Sequence, residues 1–386
     1  MRNVYLDNNA TTQPAPEVIE AMMPFFTELW GNPSSMHTFG GQVKKHIDKA
    51  REQVAALIGA HPEEIIFTSC GSESDNMAVR GVVEAAGGHP HIITTRVEHQ
   101  AVLEPCRYLA GLGSHLTELG VDSKGRLDLD RLKAALTADT TLVTIMWANN
   151  ETGVVFPMDE IAEIVKRNGA TLHTDAVQVV GKMPIAVRKT PVDMLSLAGH
   201  KLHAPKGVGA LYVRKGTRCR PLILGGHQEE SRRAGTENVP YIVGLGRACE
   251  LAAEHMIEEN TRVKKMRDRL EAGILASCPE VSVNGDQEYR LPNTLNVGFE
   301  KIEGEAILLL LDAQGIAASS GSACTSGSLE PSHVMRAMGV PFTAAHGSIR
   351  FSLSRYNTED DIAHTLKHLP AIINRLRSIS PFVGRV

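Results

Sequence analysis

From residue 64 onward the chain keeps returning to one unit: a short apolar strand, a turn of small or polar residues, then a helix. Residues 64–68 read as strand and run through Ser69-Cys-Gly-Ser72 toward a helix expected over 77–86; residues 91–94 lead to a helix beginning near His99. Residues 142–147 lead into Asn149-Asn-Glu-Thr-Gly153, a helix is expected over 158–168, and the strand 171–174 ends in Asp175. Apolar runs of strand length separated by helical stretches predict parallel pairing, since each strand must be carried back over the sheet before the next can join it. The expected fold class is α/β with a mainly parallel sheet, and function in such sheets gathers at the carboxyl ends of the strands.

Two successive strand ends carry a paired amine and acid. Leu195-Ser-Leu-Ala-Gly-His-Lys201 leaves Lys201 at the end of an apolar strand with glycines on both sides, and the preceding strand ends in Asp175, with Gln178 three residues later. A solvated lysine is protonated at neutral pH and forms no imine unless burial or nearby positive charge lowers its pKa; the strand end and His200 are the expected causes. Singly, a lysine after a strand is a common loop charge and an aspartate a common helix cap. Together they suit an aldehyde cofactor, pyridoxal 5'-phosphate, which needs a lysine for its imine and an acid for its ring nitrogen.

Other strand ends add to the pair. Gly71 and Ser72 precede a helix, where outward N–H groups attract a phosphate; a plain cap with Ser72 as capping residue reads equally well, and both can hold. His99 offers a ring face for stacking, and Asn150 falls at the same edge of the sheet. No dinucleotide fingerprint competes, because Tyr212 stands where a third glycine would follow Gly207 and Gly209. The polar loop 222–236, with Arg232 and Arg233, is either a solvated connection or an arm reaching a neighbouring subunit.

Around this centre the chain reads as a helix over 17–29, an amphipathic helix over 41–59, a long helical stretch 239–276, and a separate α+β module with helices over 304–314 and 358–378. The net charge of -4, with acids and bases interspersed, offers no basic face for nucleic acid or an anionic membrane. The N-terminus lacks the apolar core of a signal peptide and no apolar run approaches membrane length, so a cytoplasmic protein is expected. Six cysteines without C-x-x-C spacing read as free thiols filling core space. Cys324 differs, because the glycines and serines around it cannot bury a thiol, and it is the expected reactive cysteine.

These residues resemble the cysteine desulfurases, class V members of the fold-type I pyridoxal-phosphate enzymes, most closely the nitrogen-fixation NifS-like branch. The shared segments are Tyr5-Leu-Asp-Asn-Asn-Ala-Thr-Thr12, Gly31-Asn-Pro-Ser-Ser35, Val97-Glu-His99, Asn149-Asn-Glu-Thr-Gly153, Thr174-Asp-Ala-Val-Gln178, Gly199-His-Lys201, Arg232-Arg-Ala-Gly-Thr-Glu-Asn238 and Ser319-Ser-Gly-Ser-Ala-Cys324. The resemblance implies a large cofactor domain (16–260) with a seven-stranded sheet. It also implies a small α+β domain (261–386) carrying the cysteine loop, with residues 1–15 packed on it. By the same resemblance Lys201 forms the imine, Asp175 pairs with the pyridine nitrogen, His99 stacks on the ring, and Gln178 and Asn150 bond the ring-hydroxyl side. Gly71, Ser72 and His200 would hold the phosphate, joined by Thr236 from the other subunit of a homodimer. Arg350 would grip the substrate carboxylate, with Asn150 beside it, and Cys324 would take sulfur from L-cysteine for an iron–sulfur scaffold protein. Selenocysteine or cysteine sulfinate as substrate, or a non-catalytic assembly partner, are the competing readings. One position departs from the pattern: Ala198 stands where the family usually has serine, so one phosphate hydrogen bond is expected to be missing.

Overall fold

The computed structural model describes residues 3–320 and 331–380, a mixed α/β chain whose strands form three sheets. Strand β1 (Val4–Tyr5) is followed by α1 (Pro16–Met22), α2 (Pro24–Thr27) and α3 (Thr38–Ile58). The helix expected over 17–29 is thus two pieces, divided at Pro24, which has no N–H to continue the first. The repeating part comprises β2 (Ile65–Thr68), α4 (Gly71–Ala86), β3 (His91–Thr95), α5 (Gln100–Gly111), β4 (His115–Leu119), α6 (Leu129–Ala135), β5 (Thr140–Thr144), α7 (Met158–Asn168), β6 (Thr171–Asp175), β7 (Met194–Ala198) and β8 (Gly209–Val213). They form a seven-stranded sheet in the order β2-β8-β7-β6-β5-β3-β4, in which only β8 runs against its neighbours.

Several boundaries differ from the sequence expectation, each for a local reason. Helix α4 starts at Gly71, not near 77, because Cys70 in extended geometry is its N-cap and the small polar residues after it are its first turns. Ser72 is therefore inside the helix and is not the capping residue. Strand β5 ends at Thr144, although the Ile145 and Trp147 N–H groups still donate to the carbonyls of His173 and Asp175. The edge strand β4 was not foreseen, since its half-exposed His-Leu-Thr-Glu-Leu alternates weakly.

Alternation within the strands divides the large core in two. Ile65, Phe67, Leu195 and Leu197 face one side, where α1, α3, α7 and α8 (Val239–Glu254) pack; Ile66 and Met194 face the other, under α4 and α5. Each such side chain contributes on the order of 1.5–3 kcal/mol by leaving water. The long helical stretch continues through α9 (Met256–Glu258), a π-helical turn at Glu259–Val263 and α10 (Lys264–Ser277), broken at His255.

The rest is β9 (Val281–Val283), β10 (Thr294–Phe299), α11 (Gly304–Asp312), β11 (Ile316–Ala317), β12 (Ser319–Ser320), α12 (His333–Ala337), α13 (Phe342–His346), β13 (Ser348–Ser352) and α14 (Glu359–Ile379). Strands β12-β13-β10-β9 form an antiparallel sheet whose core includes Met266, Leu295, Phe351 and Ile373. Val4 and Leu6 belong to this second core, and β1 pairs in parallel with β11. The N-terminal segment is too short to pack alone and is held here. Among the described residues no helix is long and apolar enough to cross a membrane.

Candidate active site

A cavity of about 370 Å³ lies where the carboxyl ends of the seven-stranded sheet meet β13 and the N-terminal segment. Gly71, Ser72, His99, Asn150, Asp175, Gln178, His200, Lys201 and Arg350 all line it, so nearly every residue singled out in the sequence converges there. Thr236 does not; it is exposed, beyond the turn Gln228–Ser231. Cys324 lies outside the described residues, and Cys70 is in the cavity wall.

Lys201 ends the short 3-10 turn Gly199–Lys201 that follows β7. Its Nζ donates to the carbonyls of Asn9 and Ala10, the second at 2.7 Å. Burial, and then the charges of Lys182 and Arg350, bring its pKa down to about 7, against the pull of Asp175 and Asp7. The sequence had assigned part of this to His200. That ring is itself lowered to about 4, chiefly by burial, so it is neutral and repels nothing at pH 7.

Asp175 and Ser196 are register partners on β6 and β7, which sets the acid one strand away from the lysine turn. One carboxylate oxygen accepts the Val177 N–H at 2.9 Å, while burial raises the Asp175 pKa and His99 opposes the rise. Beneath it is Asp75, buried on α4, with Oδ1 lacking a hydrogen-bond partner and His173 Nε2 3.6 Å away. Burial, then Asp175, push the Asp75 carboxyl well above the usual range, and burial holds Glu98 at about 8. The sequence gave no signal for Asp75, which looks like any polar residue in a helix's first turns.

His99 caps α5, its Nδ1 accepting the Ala101 N–H at 3.1 Å. The neutral ring therefore carries its proton on Nε2 and is a donor. Burial lowers its pKa, so this neutral form is favoured near neutrality.

At the other edge, α4 begins without a side-chain cap, leaving its first N–H groups for a ligand. The Glu73 carboxylate accepts the Ser69 N–H and binds Arg233 at 2.8 Å, and Arg232 donates to the Glu63 carbonyl at 3.0 Å, so both of the loop's arginines are satisfied within the chain. Two glycines permit the close fit. A Cβ on Gly71 would stand 3.0 Å from Val177 Cγ2 and 3.4 Å from Ala198 Cβ, and one on Gly209 would stand 2.8 Å from the Leu197 carbonyl.

The N-terminal segment closes the remaining side. Asn9 is buried, donating to the Asn150 carbonyl and Thr294 hydroxyl and accepting from Asn293. Arg350 donates from Nη1 to the Asn150 carbonyl at 3.0 Å and from Nη2 to Asp7 at 2.9 Å, and its buried Nε has no partner. Asn9, Ala10 and Asp7 were missed as site residues. Their signal was the shared segment 5–12, a polar stretch too short to be ordered by packing of its own.

A lowered amine beside a buried acid, at the strand ends of a mainly parallel sheet, defines an enzyme that works through a lysine. The chain belongs to the aminotransferase class-V family, whose model matches residues 4–364. It is 60% identical to a cysteine desulfurase of Nostoc sp. over 382 residues, 99% of this chain and 96% of that protein. It is 58% identical to the cysteine desulfurase NifS of Azotobacter vinelandii over 383 residues, 99% of this chain and 95% of the relative. A solved structure described as a NifS-like protein superposes with a TM-score of 0.92 at 42% identity, covering 97% of this chain and all of that one.

Proposed function

We propose that this chain is a pyridoxal-phosphate-dependent cysteine desulfurase. It converts L-cysteine to L-alanine and leaves the sulfur as a persulfide on Cys324, for transfer to an iron–sulfur scaffold protein. The observation that carries the reading is the Lys201 amine, lowered to about 7 in the same cavity as buried Asp175. The likeness to the NifS of Azotobacter vinelandii supports nitrogenase cofactor supply as the setting, with a cytoplasmic homodimer as the working form.

The residues suit the cofactor on features independent of the relatives: an uncapped helix start, a cradle that a Cβ at Gly71 would fill, and an acid and an amine on adjacent strand ends. Lys201 would hold it by an imine, Asp175 at the ring nitrogen, His99 against the ring face, and Gln178 and Asn150 on the hydroxyl side. Gly71, Ser72 and His200 would hold the phosphate, with Thr236 supplied by a second copy. When bound, pyridoxal phosphate supplies an electron-withdrawing ring that stabilises charge at the substrate Cα.

The protein's own groups then divide the work. Arg350, oriented by Asp7 and the Asn150 carbonyl, receives the substrate carboxylate, with the unpartnered Nε as its available donor. Lys201 Nζ takes the Cα proton. Cys324 must act as thiolate, and because His99 already carries its proton on Nε2, the substrate amine is the better acceptor for the thiol proton. The bond between substrate Cβ and sulfur breaks as the new S–S bond forms; Cβ then gains a proton, and Lys201 returns one to Cα to complete alanine.

Cys324→Ser should bind pyridoxal phosphate and L-cysteine normally yet release no alanine or sulfide. With wild type, radiolabelled sulfur from cysteine should stay on the Cys324 peptide after denaturation and be discharged by dithiothreitol. Label on Cys70, or sustained desulfuration by the serine variant, would sink the persulfide mechanism.

A further inference from the structure

Lys182 has no part in the mechanism above, and its place behind Lys201 is unusual. It is buried in the turn after β6, and its Nζ donates to the Gln178 backbone carbonyl at 3.1 Å and to Gln178 Oε1 at 3.2 Å. Gln178 Nε2 in turn donates to the Asn9 carbonyl at 3.0 Å, the same oxygen that accepts Lys201 Nζ. A second small cavity, about 20 Å³, is lined by both lysines together with His203 and Glu259. It has room for about one water molecule. Glu259 Oε2 is buried without a hydrogen-bond partner, so this pocket holds an acid and an amine that the proposed reaction leaves unused.

An ammonium can donate and never accept. Whichever end of the Gln178 amide meets Lys182 must therefore be the carbonyl, and the NH₂ end is left beside Asn9 and Lys201 in the main cavity. We propose that Lys182 is a positioning residue: it sets the Gln178 amide with its donor end toward the ligand, and it supplies the fixed positive charge behind the Lys201 amine. This rests on the reading of the main cavity as a pyridoxal-phosphate site and specifies it further. The ligand must present an oxygen acceptor to Gln178, never a donor.

The surrounding charges agree with that role. Asp175 and Asp7 favour the proton on Lys201, whereas Lys182 is the largest opposing charge and Arg350 the next; His99 and His200 beside it are neutral. Lys182 faces Glu259, which supports its charge, and Arg350, which opposes it. Burial is the largest cause in lowering both amines, Lys201 to about 7 and Lys182 to about 8, and Glu259 favours the proton on Lys182.

Removing a like charge makes protonated Lys201 less costly, so its pKa must rise. Cofactor-free protein can be carbamylated with cyanate across pH 6 to 9 and the Lys201 peptide quantified by mass spectrometry. The wild-type midpoint should lie near pH 7. Lys182→Met should move it up by about one unit, slowing labelling at pH 7 roughly fivefold. Lys182→Arg, which keeps charge and donors, should stay near wild type. For the amide, Lys182→Met should bind pyridoxal phosphate about tenfold more weakly, at the cost of about one hydrogen bond, and bind its 3-deoxy analogue, which lacks the ring oxygen, unchanged. If Lys182→Met does not fold, Lys182→Gln carries the same two measurements. An unmoved Lys201 midpoint, or equal losses for both cofactors, overturns the proposal. Failure of wild type to bind pyridoxal phosphate would defeat the functional reading instead, while leaving the labelling result to decide the role of the charge.

Discussion

The two walls of the cavity hold their groups by different means. On the sheet wall, Asp175 ends β6, where pairing to β7 fixes its backbone; Lys201 ends the turn that follows β7, and Gly71 opens α4. On the facing wall, Arg350 stands on β13, and side-chain bonds between Asp7 and Arg350 and between Asn9 and Thr294 tie the N-terminal segment to β13 and β10. A sheet can carry an ionisable group into low dielectric because its backbone bonds are already made elsewhere. A short segment has to make its own, so its residues are spent on anchorage. The first wall is where charge is tuned, and the second is where the reactive groups are aimed.

Substitutions on the two walls should therefore fail differently. Asp175→Asn removes a charge without removing volume, so it should keep the fold while slowing Cα–H exchange and turnover roughly 10²–10³-fold, the range for losing one preorganised electrostatic partner. Exchange at the wild-type rate would take Asp175 out of the site. Asn9→Ala should do the reverse. It strips partners from Asn293, Thr294 and the Asn150 carbonyl, costing about 2–3 kcal/mol in the denaturation midpoint. The Asn9 carbonyl that holds Lys201 remains, so turnover at saturating cysteine should fall less than about tenfold. A loss of turnover equal to that of Asp175→Asn, with stability unmoved, would erase the distinction between the walls. The smallest effect is expected at Ala198, whose Cβ abuts the start of α4. Ala198→Ser should tighten pyridoxal phosphate binding several-fold, worth about 1 kcal/mol for one hydrogen bond, and unchanged affinity measured by fluorescence titration would show that the position does not face the phosphate.

The same difference explains what could be read beforehand. Parallel topology and the Asp175–Lys201 pairing follow from local pattern, because a strand end is reached by counting along an apolar run. The start of α4 was misplaced by several residues for an equally local reason: Ser72, Glu73 and Ser74 suit a loop until Cys70 is seen to cap them. Thr236 is exposed and away from the cavity, and the proposal gives it a place only through a second copy of the chain.

By itself the amino-acid sequence determined the α/β rhythm and the lysine with its acid, since each rests on residue type and short-range spacing. Tertiary structure alone decided that Asn9 and Ala10 hold Lys201, that Asp7 orients Arg350, and that Lys182 rather than His200 opposes its charge. Those pairs are separated by up to 343 residues in the chain. Hydrogen bonds and Coulomb forces act through space, and no periodicity along a chain reports which distant backbone oxygen an amine will meet.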